Sequence, residues 1–332
     1  MTVPFWVWAV TVGAILAMLT VDYLGHVRTP HAPSLREAAR WSIAYVAVAV
    51  VFGFIVWSVW GSQYGTEYFA GYITEKSLSV DNLFVFVLIL SSFRVPREYQ
   101  QKVLLIGITI ALVLRTVFIF LGVAIIENFA SIFYLFGAFL IWTAIAQARH
   151  SGEQEEFHEN GVLRLVRRFF PTTDTYVQDK LTARVDGRRH ITPMLIVMIA
   201  IGSADVLFAV DSIPAIFGLT QEAYLVFTAN AFSLLGLRQL YFLIDGLLDR
   251  LVYLNYGLAA ILGFIGVKLL IHALHTNEVP FINDGEHVEV IPEVPTQVSL
   301  TFIVVVLTIT TVASLYRDRK VREAQALAEK DS

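Results

Sequence analysis

Two stretches of this chain carry one chemical pattern: an acid, five residues, a second acid, then a small polar side chain. The first runs from Glu75 through Asp81 to Asn82, in E-K-S-L-S-V-D-N. The second runs from Asp205 through Asp211 to Ser212, in D-V-L-F-A-V-D-S. Both stand beside or inside long apolar sequence. A carboxylate at membrane depth costs about 2.5 kcal/mol or more, so four of them in two matched sets point to a built site. The donors on offer are carboxylate, amide, hydroxyl and carbonyl oxygens, because the chain has no cysteine and no histidine at the centre of an apolar run. That chemistry suits Mg²⁺, Mn²⁺ or Ca²⁺ rather than Cu⁺ or Zn²⁺. Met194 and Met198 would either add a softer contact or simply fill packing gaps. The competing reading is that the acids only neutralise the arginines buried in other apolar runs, Arg115 and Arg238. Asn230, in the same run as Arg238, is either a further oxygen ligand or an interhelical hydrogen-bonding group.

The elements that must hold these residues are membrane helices. Hydrophobic residues make up 56% of 332 positions, and the mean hydropathy is +0.65. Runs of the length needed to cross a bilayer recur at about 3–24, 38–60, 67–93, 103–125, 129–148, 191–217, 223–244, 252–273 and 298–315. The reading is all-α: a polytopic transmembrane helix bundle of about nine spans, forming one membrane domain over 1–332. Of the 24 basic residues, 20 fall on the connections after the odd-numbered spans or on the tail, and Lys76 alone falls on the opposite side. Positive-inside bias then expects an outside N-terminus and a cytoplasmic C-terminus. The first run lacks a basic leader and a small-residue cleavage site, so it is expected to be a retained span.

Between the spans, residues 149–190 form a basic cytoplasmic loop. The amphipathic pattern around Val162–Arg168 suits a lipid-surface contact rather than nucleic acid. Asp186-Gly187 reads as a hairpin turn, and Thr192-Pro193 as an N-cap followed by proline at the first helical position. Residues 275–296 form an acidic outer loop with five acids and no lysine or arginine. His272, His275 and His287 near it would collect cations or simply be solvated. Residues 316–332 form a cytoplasmic tail. Asp22, at the end of the first run, is an interfacial acid or part of a vestibule.

The two halves match beyond their acids. Residues 66–148 and 191–274 each supply an acid-pair helix, an arginine helix and a Gly/Ala-rich helix, and the loop charges insert them in opposite directions. This predicts an inverted-topology repeat, spans 3–5 against 6–8, with the site at the repeat interface. With Asp81 and Asp211 on one level, Glu75 would lie about 9 Å toward the outside and Asp205 as far toward the inside, a ladder of carboxylates. Six helical residues turn through about 240°, so the two acids of one helix do not share a face. Either the helices break, for which Gly71, Gly202 and Pro214 are suited, or the acids pair across the repeat interface.

The stretches Glu75–Phe86, Asp205–Phe217, N-A-F-S-L-L-G-L-R (Asn230–Arg238) and F-I-G-V-K (Phe264–Lys268) resemble the TerC-type integral membrane proteins, grouped with the LysE transporter superfamily. The resemblance implies an inner-membrane protein of metal-ion homeostasis, with manganese export and tellurium resistance as the associated functions. Glu75, Asp81, Asp205 and Asp211 would then be export-site carboxylates, with Asn82 and Ser212 beside them and Arg115 and Arg238 as supporting charges. In the first repeat, Ala146 stands where Lys268 stands in the second. The expected activity is ion transport, with no catalysis and no tightly bound cofactor, and the divalent ion is cargo. The chain has no P-loop to hydrolyse ATP. The expected partners are the metal ion and the lipid bilayer. The alternative function, a scaffold or metal-delivery subunit, adds the proteins of a stress-response complex.

Overall fold

Apolar runs in a bilayer must satisfy their own backbone, and helices do this within a single segment. The computed structural model describes residues 1–27, 33–129, 131–150, 172–173, 176–177, 179–185, 188–244, 251–277, 279–280, 282–288 and 291–330. Helix α1 (Phe5–Asp22) ends in a π-helical turn over Tyr23–Val27. It is followed by α2 (Leu35–Trp60), α3 (Ser62–Ser92), α4 (Arg97–Asn128) and α5 (Ile132–His150). A short hairpin, β1 (Thr182–Val185) and β2 (Arg188–Ile191), precedes α6 (Pro193–Phe217). Then come α7 (Ala223–Leu234), α8 (Leu237–Ile244), α9 (Leu254–His275) and α10 (Thr296–Lys330). The start of α2 is written locally: Ser34 caps it by accepting the Glu37 amide at 3.3 Å.

Seven of these helices, α1, α2, α4, α5, α6, α9 and α10, are long and apolar enough to cross a membrane, so the protein is a multi-pass, nearly all-α membrane bundle. The third and seventh apolar runs fall short for physical reasons. Helix α3 carries Glu67, Glu75, Lys76 and Asp81 along its length. The seventh run, expected as one span over 223–244, is two helices. Leu235 is extended and Gly236 has φ +82°, where a Cβ would also meet Tyr45 at 2.9 Å. Glycine is the residue that tolerates both.

Burial separates inner from outer helices. In α6, 56% of the most apolar stretch is buried, against 17% in α1 and α10, which places α6 at the centre and the other two at the rim. Large apolar side chains on the outside, such as Trp6, Val113, Phe120, Trp142 and Ile309, form the surface a bilayer would cover. Inside, α3 packs on α7, α4 on α6, and α5 on α9. The last pair is the closest. A Cβ on Gly137 would lie 2.8 Å from the Gly266 carbonyl, and one on Gly266 would lie 2.9 Å from the Gly137 carbonyl. The Gly/Ala-rich sequences of these two helices let their backbones touch, the small-residue packing that membrane helices favour.

The hairpin pairs Val185 with Arg188, so a two-residue connection falls where Asp186-Gly187 was expected. Those two residues, the amphipathic segment 162–168, and Glu278 and Glu289 of the acidic loop lie outside the described residues. Thr192 does occupy the cap position before Pro193, but its hydroxyl donates to the Lys180 carbonyl at 2.6 Å and not to the helix. The same segment is tied to the α3–α4 end by Tyr176, whose hydroxyl donates to the Phe93 carbonyl at 2.8 Å, and by Lys102, which donates to Asp179 at 2.7 Å. The Lys102 bond holds the Asp179 carboxyl below its ordinary pKa. A depressed carboxyl stabilises the docked segment above its unfolded pKa and loses that contribution as the pH falls through the folded value. The hydrogen-exchange protection factors of residues 179–185 are therefore expected to fall below about pH 4, and an Asp179→Asn variant should be less protected at pH 7 and lose the acid response.

Candidate functional site

Both acid-bearing helices are continuous. Helix α3 passes through Gly71 unbroken, and α6 passes through Gly202 and Pro214. Pro214 lies in the last turn, three residues before the helix ends at Phe217. The acids therefore meet across helices. Arg115, from the middle of α4, reaches both first acids of the two motifs. Its Nε and Nη2 donate to Asp205 at 2.9 and 3.1 Å, a two-pronged pairing, and its Nη1 donates to Glu75 at 2.8 Å. Arg115 and Glu75 are 0% exposed and Asp205 is 1% exposed. Planar guanidinium and carboxylate forks match in this way, which a lysine could not reproduce.

This arrangement departs from the ladder expected above. Glu75 and Asp205 stand on one guanidinium instead of at opposite ends of a line of acids. The levels were inferred by aligning the second acids, whereas the helices meet at the first. Asp211 is half-buried beside Thr143 of α5. Asn82 is buried. Asp81 lies within α3, and its side chain is outside the described residues. Among the described residues, Arg238 pairs with a different acid. From the start of α8 it donates to Gln101 at 2.7 Å and to Asp22 at 3.0 Å, and Gln239 donates to the same Asp22 oxygen at 3.1 Å. Asp22 is thus a buried structural acid, 3% exposed. An arginine in an apolar run demands an acid; which acid depends on the break at Gly236, which redirects the chain toward the far end of α1.

The Arg115 cluster has one negative charge more than it has positive, counting two carboxylates and one guanidinium. Lys76, the neighbour of Glu75, turns away and donates to the Ser233 carbonyl at 3.0 Å, in the last turn of α7. There it supplies a donor to a helix end that lacks one. On the other side of Glu75, Asn230 of α7 donates its amide to Glu75 Oε2 at 3.0 Å. That contact settles the amide's orientation, because a flipped Asn230 would set oxygen against oxygen. Glu75 Oε1, Asn230 Oδ1 and Ser212 Oγ are then buried with no hydrogen-bond partner within 3.5 Å, and the Ser212 hydroxyl stands near the Glu75 carboxylate. Buried polar atoms left without partners are uncommon and call for a reason. Here they are all oxygens gathered around a surplus negative charge, a donor set for a hard cation. Asn230 was legible in sequence only as a polar residue in a span; its place beside Glu75 comes from the packing of α3 on α7.

The softer ligands do not converge. Met194 and Met198 are buried in the apolar core. His272 contacts Glu293 at 2.8 Å and Gln221 at 2.8 Å, His275 contacts the Ile291 carbonyl, and His287 contacts the His275 carbonyl. Among the described residues no three His, Asp or Glu side chains are grouped as metal ligands.

A family profile described as "Integral membrane protein TerC family" matches residues 60–322, which takes in α3 through most of α10. An uncharacterized membrane protein of Mycobacterium tuberculosis (strain H37Rv) is 55% identical over 329 residues, covering 98% of this chain and 83% of the relative. One from Myxococcus xanthus is 38% identical over 323 residues, covering 97% and 96%. An Escherichia coli K12 protein whose name carries the words "membrane-bound redox modulator Alx" is 39% identical over 266 residues, covering 77% and 83%. No solved structure matches the chain. With both acid motifs, Arg115 and Asn230 all inside the matched region, this chain belongs to the TerC family of integral membrane proteins.

Proposed function

We propose that the protein exports a hard divalent cation, manganese first, across the inner membrane by alternating access. Glu75 is the ligand that exchanges, and the Arg115–Asp205 pair is its fixed counter-charge. The observation that carries this reading is the charge imbalance: two carboxylates shut off from solvent share one guanidinium. Beside them, Glu75 Oε1, Asn230 Oδ1 and Ser212 Oγ stand without partners. A structural ion pair would balance its charges; a site that alternates between loaded and empty must hold a charge that its cargo completes. Protons are the natural exchange partner, since a carboxylate that has released a metal can take one up. Asp81, Asn82 and Asp211, six or seven residues along the same helices, are the further stations. The reciprocal packing of α3 on α7 and of α4 on α6, with α5 against α9, supports the inverted repeat and hence a two-sided pathway. The charge on the connections supports an outside N-terminus and a cytoplasmic C-terminus.

The second reading is a metal-delivery or scaffold subunit in a stress-response complex, favoured by the redox wording in the name of the E. coli relative. This chain has no cysteine, so under either reading a redox effect would pass through the ion handled rather than through its own thiols. Purified protein in liposomes separates the two. Export predicts Mn²⁺ flux by the protein alone, accelerated by an opposing proton gradient. A protein that binds Mn²⁺ but moves none without a partner would overturn export and favour delivery.

A further inference from the structure

Eight residues before Glu75 on α3, about 12 Å along the helix, stands Glu67, 8% exposed. It forms part of the wall of a cavity of about 580 Å³, bounded by the start of α3, the α6–α7 turn, the end of α9 and the approach to α10. This is the end of the bundle that the loop charges assign to the outside. Among the described residues Glu67 is held by neutral groups: Thr220 donates to Oε2 at 2.7 Å and Gln63 donates to Oε1 at 3.1 Å. A carboxylate accepts about four hydrogen bonds, so half of its capacity remains. The cavity's other acids are already engaged, Glu293 by His272 and Glu222 by the amino group of Met1. Lys268 of α9 lines the same cavity. Its ammonium donates to the Ser299 hydroxyl at 3.3 Å, and among the described residues no carboxylate comes within ion-pairing distance of it, although it feels the charge of Glu67. A buried carboxylate and a half-buried ammonium thus line one cavity without closing on each other.

Between this cavity and the buried site lies an apolar layer. At Gly71, midway between Glu67 and Glu75, a Cβ would sit 3.2 Å from Ile216 and 3.4 Å from Ala229, so both side chains press on α3 there. Phe217, next to Ile216, faces the cavity.

We propose that the cavity is a second cation station on the pathway of the preceding section, with Glu67 as its carboxylate. Lys268 is a tethered ammonium that offsets Glu67 after the metal has left and is repelled when a divalent ion enters. The inference rests on the export reading for its direction of transport, but not for the binding itself. Mn²⁺ titration of the purified full-length protein, followed by the loss of the free-ion EPR signal, tests it. Wild type is expected to bind two equivalents, Glu67→Gln to lose one, and Glu75→Gln to lose the other. Lys268→Met is expected to keep both and to tighten the Glu67 equivalent about tenfold, the scale of one neighbouring charge. That gain cannot come from misfolding. Wild-type binding in Glu67→Gln, or no tightening in Lys268→Met, overturns the proposal while leaving the Glu75 site standing. An equivalent that depends on Glu67 with none that depends on Glu75 supports the proposal and overturns the export site. Absence of bound Mn²⁺ in wild type overturns both.

Discussion

Arg115→Met is expected to destabilise the folded protein by about 3–5 kcal/mol, the usual result of removing one partner from a buried ionic cluster. Its guanidinium is the shared donor for Glu75 and Asp205, at 2.8 to 3.1 Å, and all three side chains are shut away from solvent. Without it, two carboxylates face each other in a medium that cannot screen them, and both must be protonated or hydrated for the helices to stay packed. Arg115→Lys should recover little, because one compact ammonium nitrogen cannot span two carboxylates as the planar guanidinium fork does. A second substitution distinguishes charge from packing. In Arg115→Met/Asp205→Asn the cluster again carries one uncompensated negative charge, as in the wild type, so much of the lost stability should return. The readout is the denaturation midpoint in detergent, with the rate of thermal inactivation as a check where unfolding is irreversible. If the double variant is no more stable than Arg115→Met, charge balance is not what holds α3, α4 and α6 together.

Glu75→Gln is expected to cut Mn²⁺ flux by about 100-fold or more while costing little stability. Changes to residues that only support metal ligands already cost 10–100-fold, and Glu75 is placed as a direct ligand. The contrast with Asp205 makes the prediction specific. Both oxygens of Asp205 are committed to Arg115, whereas Glu75 gives Arg115 and Asn230 the same oxygen, Oε2, and keeps Oε1 free. Asp205→Asn should therefore act first on stability, and its flux, normalised to folded protein, should fall less than that of Glu75→Gln. Equal flux losses with equal stability losses would mean that the two acids form one structural pair, and the division into ligand and counter-charge would fail. Asn230→Leu adds an internal control. It removes the amide that orients Glu75, so flux should drop while the Arg115–Asp205 pair is untouched.

Much of this protein is decided locally. Apolar runs of bilayer length form helices wherever they occur, because no other conformation satisfies their backbone in lipid. The multi-pass, nearly all-α bundle therefore follows from the chain directly, as does a hairpin on either side of Asp186-Gly187. The Gly/Ala-rich composition of α5 and α9 is visible in the chain, but that the two helices touch through Gly137 and Gly266 is a matter of packing. The paired acids marked α3 and α6 as the helices with charge to satisfy.

Tertiary structure decided which charges meet. Helical periodicity constrains residues three or four apart on one helix, but it says nothing about where two helices cross. The crossing joins Glu75 to Asp205 and leaves Asp211 beside α5, so alignment by the second acids put the levels in the wrong place. The two arginines looked equivalent in sequence, yet one holds the acid motifs and the other holds Asp22. The difference is the positive φ of Gly236, which breaks the seventh apolar run and turns Arg238 toward α1. The unpartnered oxygens of Glu75, Asn230 and Ser212 could not be read from residue types, since a polar atom is unsatisfied only by virtue of its surroundings. Residue chemistry named the candidates, and long-range packing chose among them, because a desolvated charge is stabilised by the partner placed beside it, wherever in the chain that partner lies.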